Sequence, residues 1–235
     1  VVPVAECHRL DRPLPHALDY IGYLGHGWTA YAALTRGVRI NRGDTVLVSS
    51  AAGAIGSMAG QIARLLGAGR VIGSTSAREK ADRLIGELGY DAAVIRQREQ
   101  PLAQQLIEAA PEGVDVFLDT VGGAQLQAAV AAAREGARFV IVGTLSGQLA
   151  TAGTGRTALV ELDSTQILLR KITLRGYSAD DHPEARADWF VRLADWLRTG
   201  DIHLPNVVID GLDDATAALR DTQQDRDLGM VVVRL

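Results

Sequence analysis

The sequence predicts an α/β fold, a doubly wound parallel sheet with helices on both faces. Three observations predict it. Short β-branched runs alternate with longer helical patterns from Gly43 onward, the first run opens directly into a glycine-containing turn and a helix, and two later runs also end in glycine. At 235 residues with 47% hydrophobic content, the chain has room for one large or two small domains with a real core.

The element order follows from the pattern. Runs over 45–50 (TVLVSS), 70–74 (RVIGS), 92–95, 114–119 (VDVFLD), 137–142 (ARFVIV) and 172–176 read as strands, with helices between them. After the first strand, Ile55, Met58, Ile62, Leu65 and Leu66 fall on one helical stripe, and the small residues Ala59, Gly60 and Ala63 permit close approach to a sheet. Crossovers of this kind are almost always right-handed, so the units stack into a Rossmann-type layout. The Gly, Thr and Ser-rich segment 146–155 reads as the longest irregular loop, followed by a short apolar helix over 162–169. An amphipathic helix over 184–198 carries Trp189, Leu193, Trp196 and Leu197 at core spacing. Past Gly200 the character changes: a strand over 207–209, a helix begun by Asp213 and Asp214, and a strand over 231–234 form a small separate β-rich element.

Composition narrows the function. Lys and Arg number 24 against 28 Asp and Glu, a net charge of −4 without long runs of either sign, which argues against nucleic acid or anionic membrane as a partner. No apolar run of about twenty residues and no basic-then-apolar leader is present, so the chain reads as cytoplasmic. It begins at Val1 in a segment bearing Pro3, Pro13 and Pro15, which reads as entry partway through a longer polypeptide. Cys7 is the single cysteine, and His8, His16, His26, His182 and His203 are scattered, so a zinc site is not expected.

The chemistry-bearing motif is Ser50-Ala51-Ala52-Gly53-Ala54-Ile55-Gly56 between the first strand and its helix. Unpaired amides and the positive end of the macrodipole at a helix start suit a diphosphate, provided no side chain intervenes. Gly53 allows that approach and Gly56 allows close helix–strand packing, while Ala51 stands where the strict fingerprint has its first glycine. Coenzyme choice rests on the end of the second strand, about 20 residues further on. Ser74, 18 residues after Gly56, opens Ser74-Thr75-Ser76-Ala77-Arg78, with no acid to repel a 2′-phosphate and with hydroxyls and a guanidinium to bond one. NADP(H) is therefore the expected cofactor, with Lys80 and Arg96 as further phosphate ligands and Glu79 as a helix-start acid. The loops at Thr120-Val121-Gly122-Gly123 and Val142-Gly143-Thr144-Leu145-Ser146-Gly147 are expected to touch the adenosine and nicotinamide halves.

The stretches 47–67 (LVSSAAGAIGSMAGQIARLLG), 115–123 (DVFLDTVGG), 138–147 (RFVIVGTLSG) and 174–177 (LRGY) resemble the medium-chain dehydrogenase/reductase superfamily, and within it the zinc-independent prostaglandin and curcumin reductases. The resemblance implies a bilobed enzyme that passes hydride from NADPH to the β-carbon of an α,β-unsaturated ketone or aldehyde. It implies that Gly53, Ala54, Ile55 and Gly56 hold the pyrophosphate and Lys80 the 2′-phosphate. Arg96 stands where the family has a tyrosine, and Thr120 where it has a cofactor-contacting asparagine. Residues 142–148 would wrap the nicotinamide side, beside Tyr177, Ser178 and Ala179. Trp28, Thr29 and Tyr31 match a segment near the nicotinamide. Asp227 and Met230 replace the asparagine and lysine of the family's Asn-Leu-Gly-Lys ending, and a carboxylate near phosphate is repulsive. By the same resemblance, 1–26 is the end of a β-rich GroES-like catalytic lobe, 27–200 the NADP-binding domain and 201–235 the returning segment of that lobe. A homodimer through 172–176 is expected. No proton donor stands out: Tyr31 and Tyr177 are chemically able, but each reads first as a packed aromatic. A quinone reductase and a non-catalytic NADP(H)-binding protein are the competing readings.

Overall fold

The structure, a computed structural model, describes residues 25–96, 99–150, 157–223 and 227–234. Cys7, His8, His16, nearly all of the expected lobe end 1–26 and part of the expected loop 146–155 lie outside them. Six strands form one parallel sheet: β1 (Thr45–Val48), β2 (Arg70–Thr75), β3 (Ala92–Ile95), β4 (Val114–Asp119), β5 (Ala133–Ile141) and β6 (Thr173–Gly176). Their order is β3-β2-β1-β4-β5-β6. The direction of winding reverses between β1 and β4, and ligands of such sheets bind outside the strand C-termini at that reversal.

Helices cover both faces. On one lie α1 (His26–Ala32, prolonged by a π turn at Ala33–Gly37), α2 (Gly56–Leu65), α3 (Arg78–Leu88) and α8 (Ala185–Thr199). On the other lie α4 (Leu102–Ala109), α5 (Ala124–Ala131) and α7 (Ser164–Leu169). Alternation along the strands sends Val46, Val48, Val116, Leu118 and Val140 to the first face, and Leu47, Phe117 and Phe139 to the second. Burying each such side chain contributes about 1.5–3 kcal/mol.

Three sequence expectations are corrected. The stripe on α2 is instead an unbroken buried run from Gly56 to Ala63, because the helix is enclosed between the sheet, α1 and the segment carrying His203. β5 begins before residue 137: the register slips between Val114 and Val116, and the left-handed Gly136 (φ 78°) sits in a bulge that hides the alternation. The glycine-rich stretch expected to be irregular opens with a short helix, α6 (Leu145–Gln148).

Beyond α8, β7 (Asn206–Asp210) and β8 (Met230–Arg234) pair in parallel across α9 (Ala215–Gln223), separately from the main sheet. A parallel pair requires such a crossover. The Gln61 amide clamps the approach to β7 at both ends, Nε2 donating to the His203 carbonyl (2.8 Å) and Oε1 accepting its amide (2.8 Å). Ile202 and Leu228 insert into the core beside α2.

Candidate functional site

The glycine turn is shaped by one strained residue and one close approach. β1 stops at Val48 because Ser50 takes the left-handed conformation (φ 47°), uncommon outside glycine, and reverses the chain. The Ser50 amide donates to Ser74 Oγ (3.2 Å) and the Ala51 amide to the Ser74 carbonyl (2.8 Å), which fastens the turn to β2. A Cβ on Gly56 would lie 2.3 Å from the Ser50 carbonyl oxygen, so α2 packs on the turn only because that residue is glycine. Gly53, Ala54 and Ile55 are half-buried, no side chain caps α2, and the amides of Ala54, Ile55 and Gly56 have no partner among the described residues. This is a cradle of backbone donors open to an anion.

Tyr90 holds the cradle from beneath, and sequence reasoning missed it. Its hydroxyl donates to the Gly56 carbonyl (2.6 Å), and its ring fills a notch where a Cβ on Gly60 or Gly73 would stand 2.2 Å and 3.0 Å from ring carbons. Burial holds its phenol far above the usual pKa. Glycines in mid-helix and mid-strand were the available signal.

At the ends of β2 and β3 the structure assembles residues far apart in sequence. The Arg96 amide donates to the Thr75 carbonyl (2.9 Å), which sets exposed Arg96 beside half-buried Ser76 and the start of α3, where Arg78 is exposed and Lys80 is buried. Arg78 approaches Asp82 at 3.9 Å across an exposed helix turn, a weak pair. Ser74 differs from its expected role: it is buried, and its Oγ both accepts from Ser50 and donates to Gln125 Oε1. Thr75 Oγ1 is buried with no partner among the described residues.

The β4 and β5 turns, expected as two loops, form one unit. Val142 donates to the Asp119 carbonyl (2.8 Å), Leu145 to Thr120 (3.1 Å), and Ser146 to Val121 through both its amide (3.0 Å) and its hydroxyl (2.6 Å). A Cβ on Gly143 would stand 2.9 Å from the Thr120 carbonyl oxygen, so the turns touch backbone to backbone. Beneath them Asp119, fully buried, accepts at Oδ1 from Ser49 Oγ, the Val121 amide and the Gly122 amide, each at 2.9 Å. Burial raises its pKa against the lowering effect of those donors. Ser49 and Asp119 were not singled out from the sequence. An acid closing the buried Val116–Leu118 run of the strand was the signal.

At the end of β6, Tyr177 stacks on His182 (5.7 Å between centroids), with the Arg175 guanidinium 5.5 Å from its ring centroid. Its buried hydroxyl has no partner among the described residues, and burial is the first cause of its raised pKa. Ser178 caps the 3-10 turn Ala179–Asp181. Tyr31, expected near a nicotinamide, is a core ring meeting Trp189 at 5.4 Å and Trp196 at 6.4 Å. Trp28 is buried in the same cluster, and Thr29 Oγ1 donates to the Gly25 carbonyl (3.1 Å). Asp227 is half-buried and accepts from Thr222 Oγ1 (3.3 Å). Two residues on, the Gly229 amide donates to the Ala52 carbonyl of the glycine turn (2.8 Å). Among the described residues no group of three or more His, Cys, Asp or Glu could hold a metal ion.

A family model described as zinc-binding dehydrogenase matches residues 54–196. The 2-alkenal reductase (NADP(+)-dependent) of Nicotiana tabacum is 30% identical over 229 residues, covering 97% of this chain and 64% of its own length. The NADPH-dependent curcumin reductase of Escherichia coli is 29% identical over 217 residues, covering 92% of this chain and 62% of its own. CurA from Vibrio vulnificus, solved in complex with NADPH, superposes with a TM-score of 0.81 at 29% identity, over 95% of this chain and 66% of that one. The chain thus spans a little under two thirds of the relatives it matches. With a sheet reversing at β1/β4, a glycine turn feeding an uncapped helix and relatives of this kind, the chain belongs to the medium-chain dehydrogenase/reductase family, alongside its zinc-independent, NADP-dependent members.

Proposed function

We propose that this chain forms the NADP(H)-binding part of an oxidoreductase that reduces the C=C bond of α,β-unsaturated ketones or aldehydes. The observation that carries the reading is the open amide cradle at Gly53–Gly56 beside the exposed cations Arg78 and Arg96 at the ends of β2 and β3, with Lys80 buried in the first turn of α3. The residues present fit a phosphorylated dinucleotide: the turn offers backbone donors, and the β2 end carries no carboxylate where a 2′-phosphate would sit. When bound, NADPH supplies the hydride.

The chain's own residues do the rest. Gly53, Ala54, Ile55 and Gly56 bind the diphosphate, and Ser76, Arg78, Lys80 and Arg96 bind the 2′-phosphate. The joined turns at Thr120 and at 142–146 orient the coenzyme across the sheet edge, with Tyr177 and Ser178 at the nicotinamide end. Residues 201–235, with the parallel pair β7 and β8, belong to a second, β-rich lobe. A homodimer accords with the exposed edge strand β6 and with exposed Leu159, Leu168 and Leu169 on the segment before it. The single cysteine suits a reducing, cytoplasmic compartment.

The test is fluorescence titration with NADPH and NADH, followed by coenzyme oxidation assays on an enone such as 1-octen-3-one and on a quinone. Tight NADPH binding with turnover on the enone is expected. Turnover on the quinone alone defeats the enone assignment, and binding without reduction of either acceptor favours a non-catalytic NADP(H)-binding protein.

A further inference from the structure

Seen from the α5 face, the sheet edge at the reversal point carries a polar pair sunk into an apolar layer. β1 and β4 lie side by side there, with Val48 opposite Leu118, so Ser49 and Asp119 are neighbours on the same face. Both are fully buried. Ser49 Oγ donates to Asp119 Oδ1 (2.9 Å) and accepts from the Thr120 amide (2.7 Å). Asp119 Oδ1 accepts in addition from Val121 and Gly122. The pair therefore gathers three consecutive amides, Thr120, Val121 and Gly122, and ties them to the end of β1 one residue before the glycine turn.

Two of the three are joined on their other side to the β5 turn: the Thr120 carbonyl accepts from Leu145, and the Val121 carbonyl from Ser146. Gly122 and Gly123 both take left-handed conformations (φ 75° and 57°), and the latter leads directly into α5. A turn with two such residues has many alternatives when nothing anchors its amides. Asp119 Oδ2 is enclosed with no partner among the described residues, so the carboxylate is held at a desolvation cost that its one bonded oxygen must offset. A hydrophobic residue there would pack at no such cost but would leave two buried amides, those of Val121 and Gly122, without acceptors.

We propose that Asp119, with Ser49, is a positioning residue: it fixes the Thr120–Gly122 turn, and through it the β5 turn, in the one arrangement that lets coenzyme lie across the sheet edge. It touches no coenzyme itself. The affinity side of this proposal rests on the NADP(H) reading above. The conformational side does not, because it is readable in the protein alone.

The experiment compares Asp119→Ala, Asp119→Asn and Ser49→Ala by amide hydrogen exchange without coenzyme, by NADPH titration, and by kcat and KM for NADPH. Asp119→Ala should speed exchange at Val121 and Gly122 and weaken NADPH about tenfold, the scale of one lost charge-assisted hydrogen bond, with kcat at saturating NADPH little changed. Asp119→Asn, which keeps an acceptor oxygen, should recover most of both effects. Ser49→Ala, a small change unlike a charge deletion, should speed exchange at Thr120 first and secures the comparison if Asp119→Ala fails to fold. Unaltered exchange at 120–122 in the folded variants overturns the proposal, whatever the coenzyme result. So does equal damage from Asn and Ala. If exchange responds as expected while even the native protein takes up no NADPH, the positioning role of the pair stands and the NADP(H) reading falls.

Discussion

At the scale of single residues, charge and burial decide the outcomes. Reversing Lys80 and Arg96 together removes two cations from the proposed 2′-phosphate rim, so the ratio of NADPH to NADH affinity should fall by at least about tenfold, equivalent to about 1.4 kcal/mol. Paired titrations measure it, and an unchanged ratio would remove the rim from the reading. Tyr90→Phe keeps the ring in its glycine notch and deletes only the donor to Gly56, so denaturant unfolding should show a loss of about 1 kcal/mol. Asp119 yields a pH prediction. Its folded pKa is raised by burial, so the folded protein binds that proton more tightly than the unfolded chain does. Stability from this group is greatest below the ordinary carboxylate pKa and declines as pH rises from there through the raised folded value. Denaturation midpoints for the native protein and Asp119→Asn should therefore diverge with pH inside that window and run parallel below it. A difference that is flat across the window would show the carboxyl to be unperturbed.

At the scale of elements, close backbone approach is the recurring device. α2 meets the glycine turn, β2 and Tyr90 at distances that Gly56, Gly60 and Gly73 alone permit. Gly60→Ala would drive a methyl into the Tyr90 ring, and although alanine is the better helix former, the overlap should dominate and cost about 1–3 kcal/mol. A neutral or stabilising result would mean that the ring moves aside freely. The elements themselves were largely legible: β3 and β4 match their expected bounds, and α8 buries Trp189, Leu193 and Trp196 as its spacing required. Strand ends were less legible. β1 stops early at a left-handed serine and β5 starts early behind a glycine bulge, and neither a positive φ on Ser50 nor a register slip leaves a periodic trace.

At the scale of the whole molecule, coenzyme binding and stability are linked. NADPH at about 100 times its Kd should stabilise the fold by about 2.7 kcal/mol. For a chain of this size that raises Tm by several degrees, at about 2–4 °C per kcal/mol. NADH at the same concentration should do less, and equal shifts from both would contradict the coenzyme preference. The sequence by itself determined the α/β class, the order of the six strands along the chain, the glycine turn between β1 and α2, and the absence of a carboxylate at the end of β2, because hydrophobic period, glycine placement and charge are local properties. Only the tertiary structure decided that Arg96 lies beside Thr75, that Ser74 faces Gln125 rather than outward, that the β4 and β5 turns form one unit, and that Ser49 and Asp119 meet beneath them. Those contacts join residues brought together by strand register and helix packing, and nothing in the run of neighbours along the chain encodes the distance between two strand ends.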